Sequence, residues 1–455
     1  MAQGDEQYER MTSESVSKLV ISLAVPAIIS MMITSVYNLV DTAFVGSLGT
    51  SASGATGIVF GFMSVIQAFG FMFGQGAGSI VARALGQQDE ERASVHATLG
   101  FVAAFASGLI IALVSMARLD RVVYLLGSTP TIAPYAKTYI FFILLATPFM
   151  CSSFALNNIL RYEGKAALGT IGMGVGAALN MVGDFVFMPV LGLGILGAGL
   201  STALSEVVGW AVLLSMFVRG KTSTKLSLPA LCHAKPVFLA DIAATGFPSL
   251  LRQALNSITT VLLNTTCAAY GDAAVAGMSI VSRVVFFAFS IALGIGQGFQ
   301  PVAGFNYGAG RYQRLRDAFR FTCLASQVVI VVGATILFVG AQPIIACFRD
   351  DPAVLEVGVR ALRLQSVALL TLPLSVSCEM LYQSCGRRGG ATLLSGMRNG
   401  LLFIPLLLAL SATRGLAGIQ EAQPLSYVLS LPITIPFILR FFRGLPREEA
   451  GAWCG

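Results

Sequence analysis

Two aspartates lie inside long apolar stretches of the sequence, Asp41 in SVYNLVDTAFVGSLG and Asp184 in ALNMVGDF. If these stretches are transmembrane helices, each carboxylate costs about 2.5–3.5 kcal/mol at the bilayer centre and is a functional candidate by default. Tyr37 precedes Asp41 by four residues, and Asn180 precedes Asp184 by four. Residues four apart share a helix face, so each helix is predicted to present a carboxylate beside a second polar group.

Two further polar residues are expected at the same depth in the membrane. Counting about 1.5 Å per residue along each helix brings Tyr139 and Thr202, on helices of opposite direction, level with Asp41 and Asp184. Such a cluster can bind a small hard cation such as sodium through oxygen atoms. It can equally share a proton, because neighbouring carboxylates in a low-dielectric site do not both stay ionised. The residues alone leave sodium and proton both open, and hydrogen-bonded packing is the alternative for each polar residue taken singly.

The elements that would position these residues follow from the composition. The chain has 455 residues, of which 55% are hydrophobic and 11% charged, with a mean hydropathy of +0.78. A soluble domain carries roughly 25% charged residues, so we predict an all-α integral membrane protein. About twelve apolar stretches are long enough to cross the bilayer as helices. The predicted spans are 17–44, 54–80, 95–117, 133–157, 165–189, 194–218, 239–268, 275–305, 320–341, 355–380, 389–411 and 422–441.

The positive charges indicate an orientation in the membrane. Most of the 29 Lys and Arg residues fall on one side of the predicted spans, which places both termini in the cytoplasm by the positive-inside rule. The net charge of +7 is therefore a feature of topology and does not indicate nucleic-acid binding. We expect a multi-pass protein of the cell (inner) membrane with a retained first span, since the start MAQGDEQYERMTSES is unlike a signal peptide.

The sequence offers no enzymatic motif. It contains no GxxxxGK[ST] phosphate loop, and both histidines, His96 and His233, fall near predicted cytoplasmic edges. The eight cysteines are scattered without a CxxC pair, which argues against framework disulfides or a zinc site. We therefore predict a protein that is not an enzyme and has no cofactor, so that any uphill work must be driven by an ion gradient.

The chain repeats itself at an offset of 222 residues. This shift pairs Pro26 with Pro248 and the GQG at 74–76 with the GQG at 296–298. Six helices per copy give two parallel repeats, a design found in transporters. The predicted organisation is an N-terminal cytoplasmic segment 1–16, an N-lobe 17–218, a cytoplasmic linker 219–238, a C-lobe 239–441 and a cytoplasmic tail 442–455.

The second copy does not repeat the aspartates, because the offset places Leu263 opposite Asp41 and Leu406 opposite Asp184. We therefore expect ion coupling in the first lobe only. The charged or amide candidates in second-copy spans are Arg252, Gln253, Arg283, Glu379 and Arg398. A cavity-lining pair and a purely structural pair are both open for these residues, as they are for Glu206 in the first copy.

Taken together, the segments PAIISMMITSVYNLVDTAFVG, ALNMVGDF, GLST and GIGQGFQPVAGFNYGAGR resemble the multidrug and toxic compound extrusion (MATE) exporters, particularly the prokaryotic ones. The resemblance covers the whole chain. It implies two pseudo-symmetric six-helix lobes around a V-shaped central cleft that opens alternately to each side. It also implies antiport, in which Na⁺ or H⁺ enters while an organic, often cationic compound leaves.

The resemblance also implies roles for individual residues. Cation or proton coupling, including a bound Na⁺, would fall to Asp41, Asn180, Asp184 and Thr202. The bend of the first helix and a supporting polar network would fall to Pro26, Tyr37, Tyr139 and Asn157. Where some members carry an acidic residue on helix seven, this chain has Arg252 and Gln253, while Glu379 on span ten is a candidate equivalent.

Soft side chains along the cleft would suit a promiscuous substrate site, although lipid or helix packing is the alternative for each. The candidates are Met31, Phe60, Met63, Met173, Met278 and Phe287. The expected partners are small organic compounds and membrane lipid, and the expected oligomeric state is a monomer. The main alternative function is a flippase for lipid-linked oligosaccharides, and a channel or a membrane enzyme are weaker ones.

Overall fold

The computed structural model describes residues 3–46, 48–227, 229 and 235–446, and within these ranges every regular element is a helix. The helices are α1 Gln3–Ser13, α2 Val16–Gly46, α3 Thr50–Gly86, α4 Glu90–Ala117, α5 Leu119–Leu125, α6 Ala133–Tyr162, α7 Ala166–Phe185, α8 Gly194–Val218, α9 Pro236–Ala268, α10 Asp272–Gly308, α11 Tyr312–Val339, α12 Ala341–Phe348, α13 Pro352–Leu369, α14 Leu372–Ser384, α15 Arg388–Gly396, α16 Phe403–Arg414 and α17 Leu416–Arg443. Two π-helical segments, Val186–Val190 and Met397–Leu402, follow α7 and α15.

Ten helices of the described residues are long and apolar enough to cross a membrane, or eleven if α13 and α14 form one broken span. That pair was predicted as a single span, but its axis bends by 53° between Leu369 and Leu372. The remaining predicted span corresponds to α9, a helix of 33 residues that is not among the ten. Asp241, Arg252 and several amides make α9 more polar than the others.

The helices form two compact units. Unit 1 comprises Met1–Met11 and Ile29–Gln253, and unit 2 comprises Thr12–Ile28 and Ala254–Gly455. Two long helices, α2 and α9, are therefore each divided between the units. The divisions fall near the prolines within these helices, Pro26 and Pro248. The predicted lobe boundaries stay a prediction, and residues 228, 230–234 and 447–455 of the predicted linker and tail lie outside the described residues.

Glycines on one face of α3 set the packing inside unit 1. Methyl groups built at Gly70, Gly74 and Gly78 would meet α6 at 2.7, 2.8 and 2.4 Å, so only hydrogen fits at these positions. Small residues spaced by four let two helix backbones approach closely. α3 and α6 thereby form the centre of a core that includes Ile66 and Ile140.

The first part of α9 packs on the same helix through two more glycines. A methyl group at Gly76 would lie 2.2 Å from the Ile242 carbonyl oxygen, and one at Gly246 would lie closer still to the Met72 carbonyl. The GQG motif at 74–76 is thus a close helix contact inside unit 1.

Unit 2 contains the corresponding contact. A methyl group at Gly298 of α10 would lie 2.5 Å from the Ala24 nitrogen and 2.8 Å from the Val20 carbonyl oxygen. Subtracting 222 from Gly298, Gly246 and Ile242 gives positions 76, 24 and 20, so the two contacts are equivalent in the repeat. In each unit, the GQG glycine of one half of the chain receives the start of a helix from the other half.

The turn after α6 holds the N-terminal helix and the linker against unit 1. The Glu163 carboxylate accepts hydrogen bonds from the Ser223 N–H at 2.9 Å and from the Thr224 hydroxyl. Gln7 of α1 donates to the Glu163 backbone carbonyl at 2.8 Å. Burial raises the pKa of Glu163 above its ordinary value, although these hydrogen bonds and nearby Lys165 oppose the increase.

Candidate functional site

Four helices of unit 1 bring the predicted polar residues together: the second part of α2, α6, α7 and α8. Asp184 lies one residue before the end of α7 and is followed by the π-helical segment Val186–Val190. Pro189 inside this segment has no N–H to continue the α-helical hydrogen bonds. A π-helical turn widens the helix and often accompanies a functional site. The sequence thus gives α7 an irregular end next to its carboxylate.

Asn180 and Thr202 join α7 to α8 at this level. The Asn180 amide donates to the Thr202 hydroxyl at 3.2 Å and to the Ser201 hydroxyl at 3.4 Å. Ser201 in turn donates to the Asn180 backbone carbonyl at 2.9 Å. Because the Asn180 nitrogen is occupied as a donor, its side-chain oxygen is left as an acceptor.

The carboxylates complete the cluster. Asp184 is fully buried, and neither of its oxygens accepts a hydrogen bond from the described residues, although the Ser201 hydroxyl lies nearby. Oδ1 of Asp41 and Oδ1 of Asn180 are likewise buried without a donor among the described residues. The Tyr139 hydroxyl lies within hydrogen-bonding reach of the Asp41 carboxylate and of the Thr202 hydroxyl.

Four buried acceptor oxygens without a donor make this an incomplete polar cluster. An unsatisfied buried acceptor costs roughly 1–3 kcal/mol, and more when it is charged. A hard cation is held by carboxylate, amide and hydroxyl oxygens, which are the oxygens that Asp41, Asp184, Asn180 and Thr202 supply. A proton held between the two carboxylates would satisfy the same atoms in part. The donor set therefore fits Na⁺ and H⁺ alike.

A cavity of about 130 Å³ lies beside the cluster within unit 1. Asn180 and Tyr37 line it from the cluster side, and Asn157 and Gln67 add amide groups. A drug-sized ligand needs roughly 300–1,000 Å³. In this structure the cavity has room for water or an ion, and a larger compound would require it to widen.

Glu206 of α8 is a second acidic group at this cavity. Among the described residues it forms no hydrogen bond or ion pair, and it lies close enough to Tyr37 for their charges to interact. The sequence raised Glu206 without assigning it a role. Gln67, which accepts a hydrogen bond from Gln253 at 2.9 Å, was missed because a single glutamine near the GQG motif carries no periodic signal.

The remaining polar residues divide between the two units. Gln253 reaches the unit 1 cavity through Gln67, and Arg252 lies near Arg161 in the same unit. Glu379 of unit 2 is 3% exposed and accepts a hydrogen bond from Ser395 at 2.7 Å. An intramolecular hydrogen bond thus satisfies Glu379 without an ion.

Arg398 of unit 2 also has partners within its own unit. Its guanidinium lies 5.8 Å from the ring centres of both Phe289 and Tyr427. This cation–π packing gives Arg398 a structural role in unit 2.

The soft residues predicted to line a cleft have different surroundings. Phe60, Met63 and Met173 line the unit 1 cavity. Met278 is 0% exposed in the hydrophobic core of unit 2, so its side chain packs against neighbours and lines no cavity in this structure. Phe287 is 52% exposed on unit 2, and Met31 is partly buried on α2.

Comparison with known proteins supports the internal repeat. The MatE family model matches the chain twice, at residues 26–186 and 248–408. The two matched segments start 222 residues apart, which is the offset found in the sequence. Together they cover more than half of the chain.

Individual proteins match along nearly the whole length. The Multidrug export protein MepA of Staphylococcus haemolyticus is 26% identical over 418 residues, covering 91% of each chain. A crystal structure of MATE in complex with MaL6 superposes with a TM-score of 0.91 at 23% identity, covering 98% of this chain and 99% of that one. A MOP superfamily transporter from Pyrococcus furiosus gives 0.90 at 23% identity, covering 96% and 98%. These structures establish a shared fold.

Proposed function

Since this chain belongs to the MatE family, whose multidrug transporters are not enzymes, we propose that it is a secondary active exporter of small organic compounds. Export would be coupled to the entry of Na⁺ or H⁺ and would proceed by alternating access. The MepA relatives, which are named as multidrug export proteins, support the export of varied compounds.

The observation that carries the proposal is the incomplete polar cluster. Asp41 and Asp184 bring two carboxylates to one buried place, and the oxygens there lack protein donors. An ion or proton satisfies these oxygens when it binds, and their cost returns when it leaves. Binding and release can therefore bias unit 1 between two conformations by the difference in ion affinity.

The cavity beside the cluster supports a cationic substrate. Glu206 supplies a carboxylate without a protein cation as partner, while Phe60, Met63 and Met173 supply apolar and polarisable surface. A positively charged aromatic compound would pair its charge with Glu206 and its ring with these side chains. Since the cavity borders Asn180, substrate and coupling ion would influence one another's binding.

The direct test is efflux from vesicles containing the purified protein. A fluorescent organic cation is followed while a sodium gradient and a proton gradient are imposed separately. We expect one gradient to drive efflux, and Asp184→Asn and Asp41→Asn each to abolish the driven component. Asp272→Asn is the matched control, because Asp272 is exposed in the first turn of α10.

Two results would contradict the proposal. The first is full gradient-driven efflux by Asp184→Asn, and the second is a lack of response to either gradient. A separate comparison tests the cavity: Glu206→Gln should raise the KM for a cationic dye at least about tenfold while changing that for a neutral dye little, since a charge-assisted contact contributes roughly 1.5–3 kcal/mol.

A further inference from the structure

A groove on unit 2 has no role in the proposed transport cycle. It runs between α11, α13, α16 and α17 and encloses about 1,090 Å³. This is close to the upper end of the range for small-molecule sites, roughly 300–1,000 Å³. The groove is large enough for a ligand of considerable length.

One end of the groove carries a small ion-pair network. Glu421 of α17 accepts hydrogen bonds from Arg414 at 2.8 Å and from Arg360 at 3.3 Å. Both arginine side chains remain more than half exposed. Because one carboxylate is shared between two guanidinium groups, the network keeps excess positive charge.

Arg363 lies one helical turn further along α13 and makes a different set of contacts. Its guanidinium lies 5.7 Å from the centre of the Phe338 ring, and it forms no ion pair with the residues that the structure describes. It is 11 residues from the start of α13, a distance of about 16 Å. A cation at such a depth in a membrane is costly unless it is paired.

The lining becomes apolar beyond Arg363. On α13 it continues with Leu364, Val367 and Ala368, and on α17 with Leu425 and Val428. Val367 is 56% exposed and Val428 is 46% exposed. The groove therefore has a charged end and an apolar end, arranged along the helix axis.

We propose that this groove binds one phospholipid, with its phosphodiester against Arg363 and an acyl chain along the apolar end. The charged residues that line the groove are Arg360, Arg363, Arg414, Glu356 and Glu421. Three positive and two negative charges leave one positive charge, which matches the single negative charge of a phosphodiester. A guanidinium suits phosphate because its planar donors can bind two oxygens at once.

A phospholipid also explains the length of the groove. Its lining on α13 extends from Pro352 to Ala368, about 24 Å at 1.5 Å per residue. Half of the hydrocarbon core of a bilayer is about 15 Å thick. The remaining length accommodates the headgroup region beside the ion-pair network. This inference is independent of ion coupling and of the exported substrate.

Native mass spectrometry of the delipidated full-length protein tests the site. The two probes are palmitoyl-oleoyl-phosphatidylglycerol and a galactosyl diacylglycerol with the same acyl chains but no phosphate. We expect one phosphatidylglycerol to bind at least about tenfold more tightly than the galactolipid. Arg363→Gln should remove this difference, whereas Arg118→Gln, at an exposed arginine of unit 1, should leave it unchanged.

A second variant tests the apolar end without changing any charge. Val367→Trp should fill the groove and weaken the binding of both lipids. Equal binding of the two lipids to the unaltered protein would refute a phosphate site. Retention of the preference by Arg363→Gln would refute it as well, and unchanged binding to Val367→Trp would place the lipid elsewhere.

Discussion

The close contact between α3 and the first part of α9 makes a sharp prediction for Gly76→Ala. The added methyl group would lie 2.2 Å from the Ile242 carbonyl oxygen and 3.0 Å from the Gly246 nitrogen. Ordinary van der Waals contact begins at about 3.4 Å, so the helices must separate by about 1.2 Å. A backbone carbonyl cannot rotate away as a flexible side chain can.

The magnitude follows from a matched pair of substitutions in one helix. Gly61 also lies in α3, and a methyl group there would have no atom within 4 Å. Both substitutions gain the roughly 0.8–1.0 kcal/mol by which alanine exceeds glycine in helix propensity. Only Gly76→Ala meets overpacking, which typically costs about 1–3 kcal/mol. The difference between the variants is therefore the cost of separating the two helices.

Thermal unfolding of the purified protein in detergent measures this difference. For a unit of this size, 1 kcal/mol changes the Tm by about 2–4 °C, so Gly76→Ala should unfold about 2–12 °C below Gly61→Ala. The equivalent substitution in unit 2, Gly298→Ala, should have an effect of the same sign. Equal Tm values for Gly76→Ala and Gly61→Ala would refute the reasoning, because the contact would then separate at no cost.

Three smaller changes test other contacts. Thr202→Val removes a hydroxyl that suits Na⁺ but is not needed to protonate a carboxylate, so Na⁺-driven efflux should fall about tenfold and H⁺-driven efflux less than twofold; equal losses would contradict this. Since burial raises the pKa of Glu163, its contribution to stability is lost as pH rises through the raised pKa. The Tm of the unaltered protein should thus fall relative to Glu163→Gln as pH rises above about 4.5, and a constant difference would argue against it. Tyr382→Phe removes a 2.8 Å hydrogen bond to the Phe437 carbonyl and should cost about 1 kcal/mol of unfolding free energy, measured as a lower Tm.

The polar cluster of unit 1 was predictable because polar residues are rare in apolar helices. Depth along the helices placed Asp41, Tyr139, Asp184 and Thr202 at one level, and the structure brings them together. The family and the all-α membrane fold were predictable for a related reason, since the repeat offset of 222 preserves motifs such as GQG. Their functional roles stay a prediction for the experiments above.

Other features could not be predicted because they depend on contacts far apart in the sequence. The glycines of GQG indicated close packing, but nothing local shows that Gly76 meets Ile242 or that Gly298 meets Ala24. The 53° break between α13 and α14 lies in an apolar segment, LLTLPL, whose hydropathy is that of an unbroken span. The burial of Met278 depends on neighbours from other helices of unit 2, which hydropathy does not identify.

The division of α2 and α9 between the units has a consequence for biosynthesis. The segment Thr12–Ile28 leaves the ribosome first, but the unit that it joins begins again only at Ala254. It must therefore wait in the membrane while more than two hundred residues are synthesised, with its glycine-matched face uncovered. Unit 1 likewise stays incomplete until residues 236–253 emerge, well after its last own span. Neither half of the chain can complete its unit alone, so two fragments separated in the linker should reach their folded form only when they are produced together.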